Sequence, residues 1–252
     1  MHFSKYEGAG NDFILIDDRP LSFPVLDKQF IQLLCDRKFG IGADGVILLQ
    51  PNFRMRIFNS DGSEAESCGN GIRCFVRFLG ELGFVEDRYR IELKESVVFA
   101  RLEGERVAVD MGEAKDLRLK LKTERGEVHF VDTGVPHMVQ FVENVDGVDL
   151  STIGPYLRRH PLFGSKGANV NVAEKRGDGS IHVRTFERGV EGETLACGTG
   201  AVAVACVTHE LFGWPLPIRI LFRGGTLEIG QRAGRWEMVG PARKVFSGTL
   251  TQ

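Results

Sequence analysis

The sequence lacks a long apolar segment and a strong imbalance of charge. No run of residues approaches the roughly 20 apolar residues of a membrane-spanning helix. Its 32 basic and 34 acidic residues leave a formal net charge of −2, which gives no general attraction for nucleic acid or anionic lipid. The segment from Met1 to Phe13 has charges and glycines where a signal peptide needs an apolar core. We therefore expect a cytoplasmic protein that binds neither nucleic acid nor membranes.

Cysteine is scarce as well, with 5 among 252 residues. An odd number in a chain of this length argues against a disulfide framework and favours reduced thiols. There is no Cys-x-x-Cys pair. Cys68 and Cys74, like Cys197 and Cys206, would point in different directions on a helix, so neither pair converges on a metal. Phosphate-binding and nicotinamide-binding signatures are also missing, so we predict no metal and no cofactor.

One short motif occurs twice, about half a chain apart. Cys68-Gly69-Asn70-Gly71 and Cys197-Gly198-Thr199-Gly200 each open an apolar segment with helical spacing. Each motif follows a strand that ends in a polar turn, with Phe58 before the first cysteine and Phe186 before the second. This pattern is typical of a duplicated domain in which each copy places one thiol at a helix N-terminus.

The rest of the chain has short alternating segments typical of β-strands, with few helices. The segment 72–82 has an amphipathic helical pattern, whereas 201–207 is apolar on every side and predicts a fully buried helix. A shorter helix is predicted over 151–159, with Ser151 as its N-cap. The absence of regular strand-helix alternation indicates an α+β fold, and the repeat places a domain boundary after residue 114.

A thiol at a helix N-terminus lies beside unpaired backbone N–H groups and the positive end of the helix dipole. Both favour the thiolate, so the pKa can fall well below its usual value. The flanking glycines would let a carboxylate approach the same N–H groups. One Cys-Gly-x-Gly motif is more often a helix start with a buried cysteine, but two equivalent copies favour chemistry. Opposed thiols could remove an α-proton from one face and return one to the other without a cofactor.

The motifs together resemble those of diaminopimelate epimerase. The resemblance rests on Gly8-Ala9-Gly10-Asn11-Asp12-Phe13, on Asn59-Ser60-Asp61-Gly62, on both cysteine motifs and on Glu187-Arg188-Gly189, in the family's order over essentially the whole chain. It implies a homodimeric enzyme that interconverts LL- and meso-diaminopimelate on the route to lysine and peptidoglycan. It also implies two pseudo-symmetric domains, each an antiparallel-rich sheet wrapped around a central helix. These would be residues 1–114 with the returning strand 241–252, and residues 115–240.

The resemblance also implies roles for individual residues. Cys68 and Cys197 would be the acid/base pair, with His137 assisting one of them. The N–H groups of the residues that follow each cysteine would hold the substrate carboxylate: Gly69, Asn70, Gly198 and Thr199. Five polar residues would select the distal amino-acid end: Asn11, Asn59, Asn169, Glu187 and Arg188. Two positions depart from common family forms, because Val135 replaces a substrate-binding asparagine and Gly45 replaces a glutamine.

Two other functions fit parts of the pattern. A related racemase or epimerase of the same fold could act on a different amino acid, although a substrate without a second amino-acid end would not need both Glu187 and Arg188. A thiol redox protein could pair Cys68 with Cys197, although the glycines and the lack of a Cys-x-x-Cys argue against it.

Overall fold

The computed structural model describes residues 1–250. Its four α-helices are α1 (Lys28–Cys35), α2 (Gly69–Glu81), α3 (Leu150–Arg158) and α4 (Gly198–Phe212). Its first nine strands are β1 (His2–Gly8), β2 (Asn11–Asp17), β3 (Gly45–Gln50), β4 (Arg54–Asn59), β5 (Glu64–Ala65), β6 (Tyr89–Glu92), β7 (Val97–Glu103), β8 (Arg106–Gly112) and β9 (Lys115–Thr123). The other nine are β10 (Gly126–Asp132), β11 (Pro136–Phe141), β12 (Asn169–Lys175), β13 (Ser180–Glu187), β14 (Gly192–Thr194), β15 (Ile218–Phe222), β16 (Gly225–Arg232), β17 (Arg235–Pro241) and β18 (Arg243–Thr249).

The chain forms two compact units. Unit 1 contains Met1–Val109 together with the segment from Gly240 onward, and unit 2 contains Asp110–Val239. The boundaries fall inside β8 and β17. The domain limits 1–114, 115–240 and 241–252 stay a prediction, and the last two residues of the returning segment lie outside the described residues.

The two units repeat one pattern of strand pairing. In unit 1, β1 lies between β18 and β2, β2 runs parallel to β3, and β4 pairs with β3, β5 and β6. In unit 2, β10 lies between β9 and β11, β11 runs parallel to β12, and β13 pairs with β12, β14 and β15. Most of these pairs are antiparallel. The predicted α+β fold with two pseudo-symmetric, antiparallel-rich halves is therefore confirmed.

Each sheet carries a helix on both faces. Successive strand residues point to opposite faces, so Val46 and Leu48 of β3 join a core with Ile31 and Leu34 of α1. The other face contacts α2, which packs against β1, β2, β3, β7 and β18. In unit 2, Val170 and Val172 of β12 lie on one face and pack with α3. On the opposite face, α4 contacts β9 to β12, β15 and β16. The buried face of α2 and the fully buried segment 201–207 of α4 agree with the predicted apolar patterns.

The helix ends explain where these elements begin. Cys68 is the N-cap of α2 and Cys197 is the N-cap of α4, both with extended backbone angles. The predicted N-cap of α3 is wrong, because Asp149 holds that position and accepts a hydrogen bond from the Thr152 N–H. Ser151 lies inside the helix, and its hydroxyl donates to Asp149 Oδ1 over 2.6 Å. A carboxylate satisfies the first-turn N–H groups as well as a serine does.

No helix among residues 1–250 combines the length and apolar character needed to cross a membrane.

Candidate active site

In unit 1, Cys68 lies between β5 and the buried helix α2, directly before the first residue of that helix. The Gly71 N–H donates to Cys68 Sγ over 3.4 Å, so the thiol takes the capping role that a serine oxygen usually has. The next residues, Gly69 and Asn70, present backbone N–H groups of the first turn, where a helix offers no internal acceptor. Cys68 is partly exposed, unlike Cys74 six residues later, which is fully buried.

Asn11 of β2 is a predicted site residue whose side chain contacts Cys68. Its Oδ1 is 3.6 Å from Cys68 Sγ and 3.5 Å from Asn70 Nδ2. Its Nδ2 donates to Asp44 Oδ2 over 2.6 Å. Because a carboxylate only accepts, Asp44 fixes the orientation of the amide and directs Oδ1 toward the thiol. The predicted residues Asn11, Gly69 and Asn70 are therefore grouped around Cys68.

Behind Asn11 lies a cluster of charged residues that the sequence analysis did not identify. Asp12 is 2.6 Å from Lys5 and 2.7 Å from Arg37, and Arg37 also lies 2.8 Å from Asp44. Burial alone would raise the pKa of Asp12, but hydrogen bonds from Arg37 and Lys5 outweigh it and hold the pKa at about 2. Asp12 stays charged, and the cluster anchors the carboxylate that orients Asn11.

Asn59 ends β4, and its side chain is engaged in the following turn. Its Nδ2 donates to Ser63 Oγ over 3.0 Å, and its backbone N–H donates to the Ser63 carbonyl. The structure therefore places Asn59 at the predicted strand end, with its amide bonded to Ser63 rather than to Cys68.

Unit 2 places Cys197 at the equivalent position, but in more buried surroundings. The residue is 7% exposed, and its Sγ is 3.5 Å from Thr199 Oγ1. Burial, followed by the charge of Glu187, raises the pKa of the Cys197 thiol above its usual range. Contacts with Thr199 and the Gly200 N–H oppose this only in part. The lowered pKa predicted from the helix N-terminus is therefore not found at Cys197, because burial and a carboxylate outweigh the helix dipole.

Glu187 ends β13 beside Cys197. Burial raises the pKa of Glu187, although hydrogen bonds with Thr194 and Cys197 lower it in part. The Thr194 hydroxyl donates to Glu187 Oε1 and fixes the carboxyl group. Because strand pairing makes Glu187 the counterpart of Asn59, the two units place different groups at one position. The sequence analysis assigned Glu187 to the distal end of the substrate, and the structure adds a contact with the Cys197 thiol.

His137 is completely buried in β11. Its Nδ1 lies 3.1 Å from Asn171 Nδ2, and its Nε2 lies 3.5 Å from Asn169 Nδ2. Desolvation, together with the nearby charge of Arg188, lowers the pKa of His137 to about 3. The ring is therefore neutral and can accept at only one nitrogen, although an amide nitrogen faces each of them. The nearer amide is that of Asn171, so we assign Nδ1 as the acceptor and Nε2 as the protonated nitrogen.

Asn169 connects this ring to Arg188. Its Oδ1 accepts a hydrogen bond from the Arg188 backbone N–H over 2.8 Å, and its Nδ2 donates to the Pro136 carbonyl over 3.3 Å. The Arg188 guanidinium lies 3.5 Å from the Gly167 carbonyl. All the predicted site residues of unit 2 thus fall in one connected region around the start of α4: His137, Asn169, Glu187, Arg188, Cys197, Gly198 and Thr199.

A repeated ion pair supports both thiol-bearing turns, and the sequence analysis missed it. Arg56 of β4 binds Glu64 with two hydrogen bonds of 2.8 and 3.0 Å. Arg184 of β13 binds Glu193 in the same way, at 2.8 and 2.6 Å. Each glutamate stands four residues before its cysteine, so each pair clamps the hairpin that leads into the helix. This common spacing is a signal that a comparison of the two halves could have found.

The two positions that depart from common family forms have structural explanations of different kinds. At Gly45 a side-chain Cβ would lie 2.4 Å from the Phe58 carbonyl oxygen, so this backbone admits only glycine there. Val135 precedes β11 and is the counterpart of Asn11, since Asp132 pairs with Pro136 as Glu7 pairs with Asp12. Unit 2 therefore has an apolar side chain where unit 1 has the amide beside its thiol.

Among residues 1–250, no group of three or more histidine, cysteine, aspartate or glutamate side chains is arranged to hold a metal ion.

Sequence comparison assigns the family. The family model for diaminopimelate epimerase matches residues 3–117 and 129–245. The chain belongs to the diaminopimelate epimerase family. It is 42% identical to the diaminopimelate epimerase of Synechocystis sp., covering 98% of both chains. It is 39% identical to the diaminopimelate epimerase of Aquifex aeolicus, covering 100% of this chain and 98% of that one.

Solved structures of the same fold extend beyond this family. The Bacillus anthracis phenazine biosynthesis protein of the PhzF family has a TM-score of 0.77 at 13% identity, covering 100% of this chain and 99% of that one. A hydroxyproline epimerase from Agrobacterium vitis has a TM-score of 0.69 at 17% identity, with coverage of 98% and 90%. At these identities the likeness establishes the fold alone.

Proposed function

We propose that this chain is a cofactor-independent epimerase that interconverts LL- and meso-diaminopimelate through Cys68 and Cys197. The observation that carries the proposal is the placement of one thiol at the N-cap of the buried central helix in each unit, at equivalent positions of one repeat. Membership of the diaminopimelate epimerase family supports the substrate. The route to lysine and peptidoglycan precursors follows from that substrate.

The two thiols would act as base and acid in turn. One thiolate removes the α-proton of the reacting centre, and the thiol on the other face returns a proton, which inverts the centre. Cys197 has a raised pKa from burial and Glu187, so it holds its proton before substrate binds. We assign it the donor role when Cys68 acts as base, with the roles exchanged in the reverse direction.

The first turns of α2 and α4 would bind the carboxylate at the reacting centre. Gly69, Asn70, Gly198 and Thr199 supply backbone N–H groups at helix N-termini, which favour an anion. The same groups would stabilise the negative charge that develops as the α-proton leaves. Glycine at the first position leaves the approach to these groups unobstructed.

Recognition of the distal amino-acid end of the substrate requires one group that binds its carboxylate and one that binds its ammonium group. The Arg188 guanidinium suits a carboxylate and the Glu187 carboxylate suits an ammonium group. Asn11, Asn59 and Asn169 would complete the hydrogen bonds. His137, held neutral by burial, would assist Cys197 as part of the connected region around α4.

Proton NMR in D₂O tests this function directly. The purified chain is incubated with LL-diaminopimelate, a reducing agent and no cofactor. We expect loss of the α-proton signal together with appearance of the meso isomer. Exchange with another amino acid instead would identify a racemase or epimerase of the same fold with a different substrate. Absence of exchange with any amino acid would reject the epimerase function and favour that of a thiol redox protein.

We also propose a homodimer and a cytoplasmic location. Family membership and the near-neutral composition support these proposals. Sedimentation equilibrium distinguishes the mass of two chains from the 28.0 kDa of one. Fractionation of the source cell tests the location.

A further inference from the structure

The strand register shows that the two units place different side chains beneath their thiol-bearing helices. In unit 1, Ile47 of β3 pairs with Ile57 of β4. In unit 2 the corresponding pair is Asn171 of β12 and Thr185 of β13. All four residues point to the face that contacts the central helix, because each alternates with a residue of the opposite core. An aliphatic pair in one repeat is therefore a polar pair in the other.

Asn171 is fully buried, and its amide makes three hydrogen bonds. Its Nδ2 donates to the Met138 carbonyl over 2.9 Å and to His137 Nδ1 over 3.1 Å. Its Oδ1 accepts a hydrogen bond of 2.9 Å from the Thr185 hydroxyl. Because the Met138 carbonyl only accepts, this arrangement fixes the amide orientation and with it the protonation of the His137 ring. A buried polar group of this kind costs free energy unless all its bonds are made.

The same amide lies against the first turn of α4. A methyl carbon at Gly200 would be 2.5 Å from Asn171 Oδ1 and 3.3 Å from Cys197 Sγ. At the equivalent Gly71 of unit 1, the nearest atoms would be the Cδ1 methyl groups of Ile47 and Ile57, at 3.1 and 3.2 Å. Asn171 therefore contacts both His137 and the turn that carries Cys197, whereas unit 1 has only apolar packing there.

We propose that Asn171 is a positioning residue for the epimerisation. Held by Thr185, it keeps His137 in the tautomer protonated at Nε2 and sets the first turn that carries Cys197. The proposal rests on the proposed function, since Cys197 is taken as one of the two acid/base thiols. It gives unit 2 a polar support that unit 1 does not have, although both descend from one repeat.

A pair of variants at Thr185 separates positioning from packing. Thr185→Val keeps the shape and loses the hydroxyl, whereas Thr185→Ser keeps the hydroxyl and loses a methyl group. We expect Thr185→Val to lower kcat by about tenfold, the effect of one lost hydrogen bond, with a smaller change in KM. Thr185→Ser should remain near the wild type. The opposite order, or no loss in either variant, would overturn the proposal in favour of packing.

The tautomer of His137 gives a readout that needs no substrate. Nitrogen NMR of histidine-labelled protein should show His137 with an unprotonated Nδ1 and a protonated Nε2, the signals being assigned by their loss in His137→Gln. Asn171→Leu should abolish this preference. Ile47→Leu, the matched change in unit 1, should leave the signals in place. An unchanged His137 spectrum in Asn171→Leu would refute the proposal.

The two tests remain independent of each other and of the proposed function. If Asn171→Leu does not fold, the Thr185 pair still decides. If the wild type does not epimerise diaminopimelate, the proposed function fails, while the tautomer measurement still reports on Asn171.

Discussion

Cys68 and Cys197 occupy equivalent positions but have different chemical neighbours. The Asn11 amide lies beside the first thiol, and the Glu187 carboxylate lies beside the second. A neutral amide favours neither protonation state strongly, whereas a carboxylate raises the pKa of an adjacent thiol. The repeat therefore places a neutral group beside one thiol and a charged group beside the other, and at Cys197 the charged group helps to keep the thiol protonated.

Removing either thiol should stop epimerisation. We expect Cys68→Ala and Cys197→Ala to lower kcat by roughly 100- to 10,000-fold, the usual contribution of general acid–base catalysis. The same NMR assay measures the loss. Cys74→Ala and Cys206→Ala are matched controls, since these cysteines lie further along the same two helices and are buried. Substantial turnover in either of the first two variants would contradict the two-base mechanism.

His137 should make the protein acid-sensitive. Its pKa falls from 6.5 to about 3 in the folded state, so between these values the unfolded chain binds a proton that the folded chain does not. The free energy of unfolding therefore falls as pH drops below about 6.5, by about 1.4 kcal/mol per pH unit for this one group. Urea unfolding measured from pH 7 down to pH 5 should show a shallower pH dependence in His137→Gln.

His2 offers the control for that measurement, because it is an exposed histidine in β1. His2→Gln should keep the full pH dependence of the wild type. If the free energy of unfolding depends on pH equally in His137→Gln and in the wild type, burial of this ring does not cause the loss of stability at low pH.

At the scale of secondary structure, the two arginine–glutamate pairs have different surroundings. Arg184 also donates to the carbonyls of Val145 and Val148, over 3.0 and 2.8 Å. Its side chain is 8% exposed, whereas that of Arg56 is 19% exposed. Arg184 thus ties the hairpin before α4 to the loop before α3, and Arg56 clamps its hairpin with less burial.

Replacing these arginines should cost unequal amounts of stability. Arg184→Met leaves the Val145 and Val148 carbonyls without this donor, and we expect a loss of about 2–3 kcal/mol. The Glu193 carboxylate is exposed and keeps Arg223 at 3.2 Å, so its pairing contributes little to this loss. Arg56→Met removes a more exposed guanidinium that pairs only with Glu64 among the hydrogen bonds described above, and should cost about 1 kcal/mol. Urea unfolding of the two variants gives the comparison. Similar losses would mean that the extra carbonyl contacts of Arg184 add nothing.

The elements themselves were largely predictable from local sequence. A cysteine followed by glycine and helical apolar spacing located α2 and α4, because a helix start and its buried face depend on neighbouring residues. The charged cluster behind Asn11 was not predictable, since Lys5, Asp12, Arg37 and Asp44 come from separate segments without a common pattern. The raised pKa of Cys197 was missed for a similar reason, because it depends on burial and on Glu187 rather than on the helix start.

At the scale of the whole molecule, unit 1 is built from both ends of the chain. β18 pairs with β1 from Thr249 opposite His2 to Arg243 opposite Glu7, and the Leu250 N–H donates to the Met1 carbonyl. Arg243 and Lys244 add ion pairs to Glu7 and Glu81. Unit 2, in contrast, is one continuous segment.

Removing β18 should therefore weaken unit 1 selectively. In a chain ending at Ala242, β1 loses one neighbour and becomes an edge strand with unpaired backbone groups. We expect faster hydrogen–deuterium exchange, followed by peptide mass spectrometry, in β1 and β2 and unchanged exchange in β12 and β13. A chain shortened only by its last two residues retains β18 and is the control. Equal acceleration in both units would contradict the prediction.

The pairing of β1 with β18 also determines the order in which the protein is completed during synthesis. His2 and Thr249 are 247 residues apart, which at roughly 5–20 residues per second separates their appearance by about 12 to 50 seconds. All of unit 2 leaves the ribosome within that interval and can fold first. β1 therefore waits for β18, with one backbone edge open to other chains until β18 arrives.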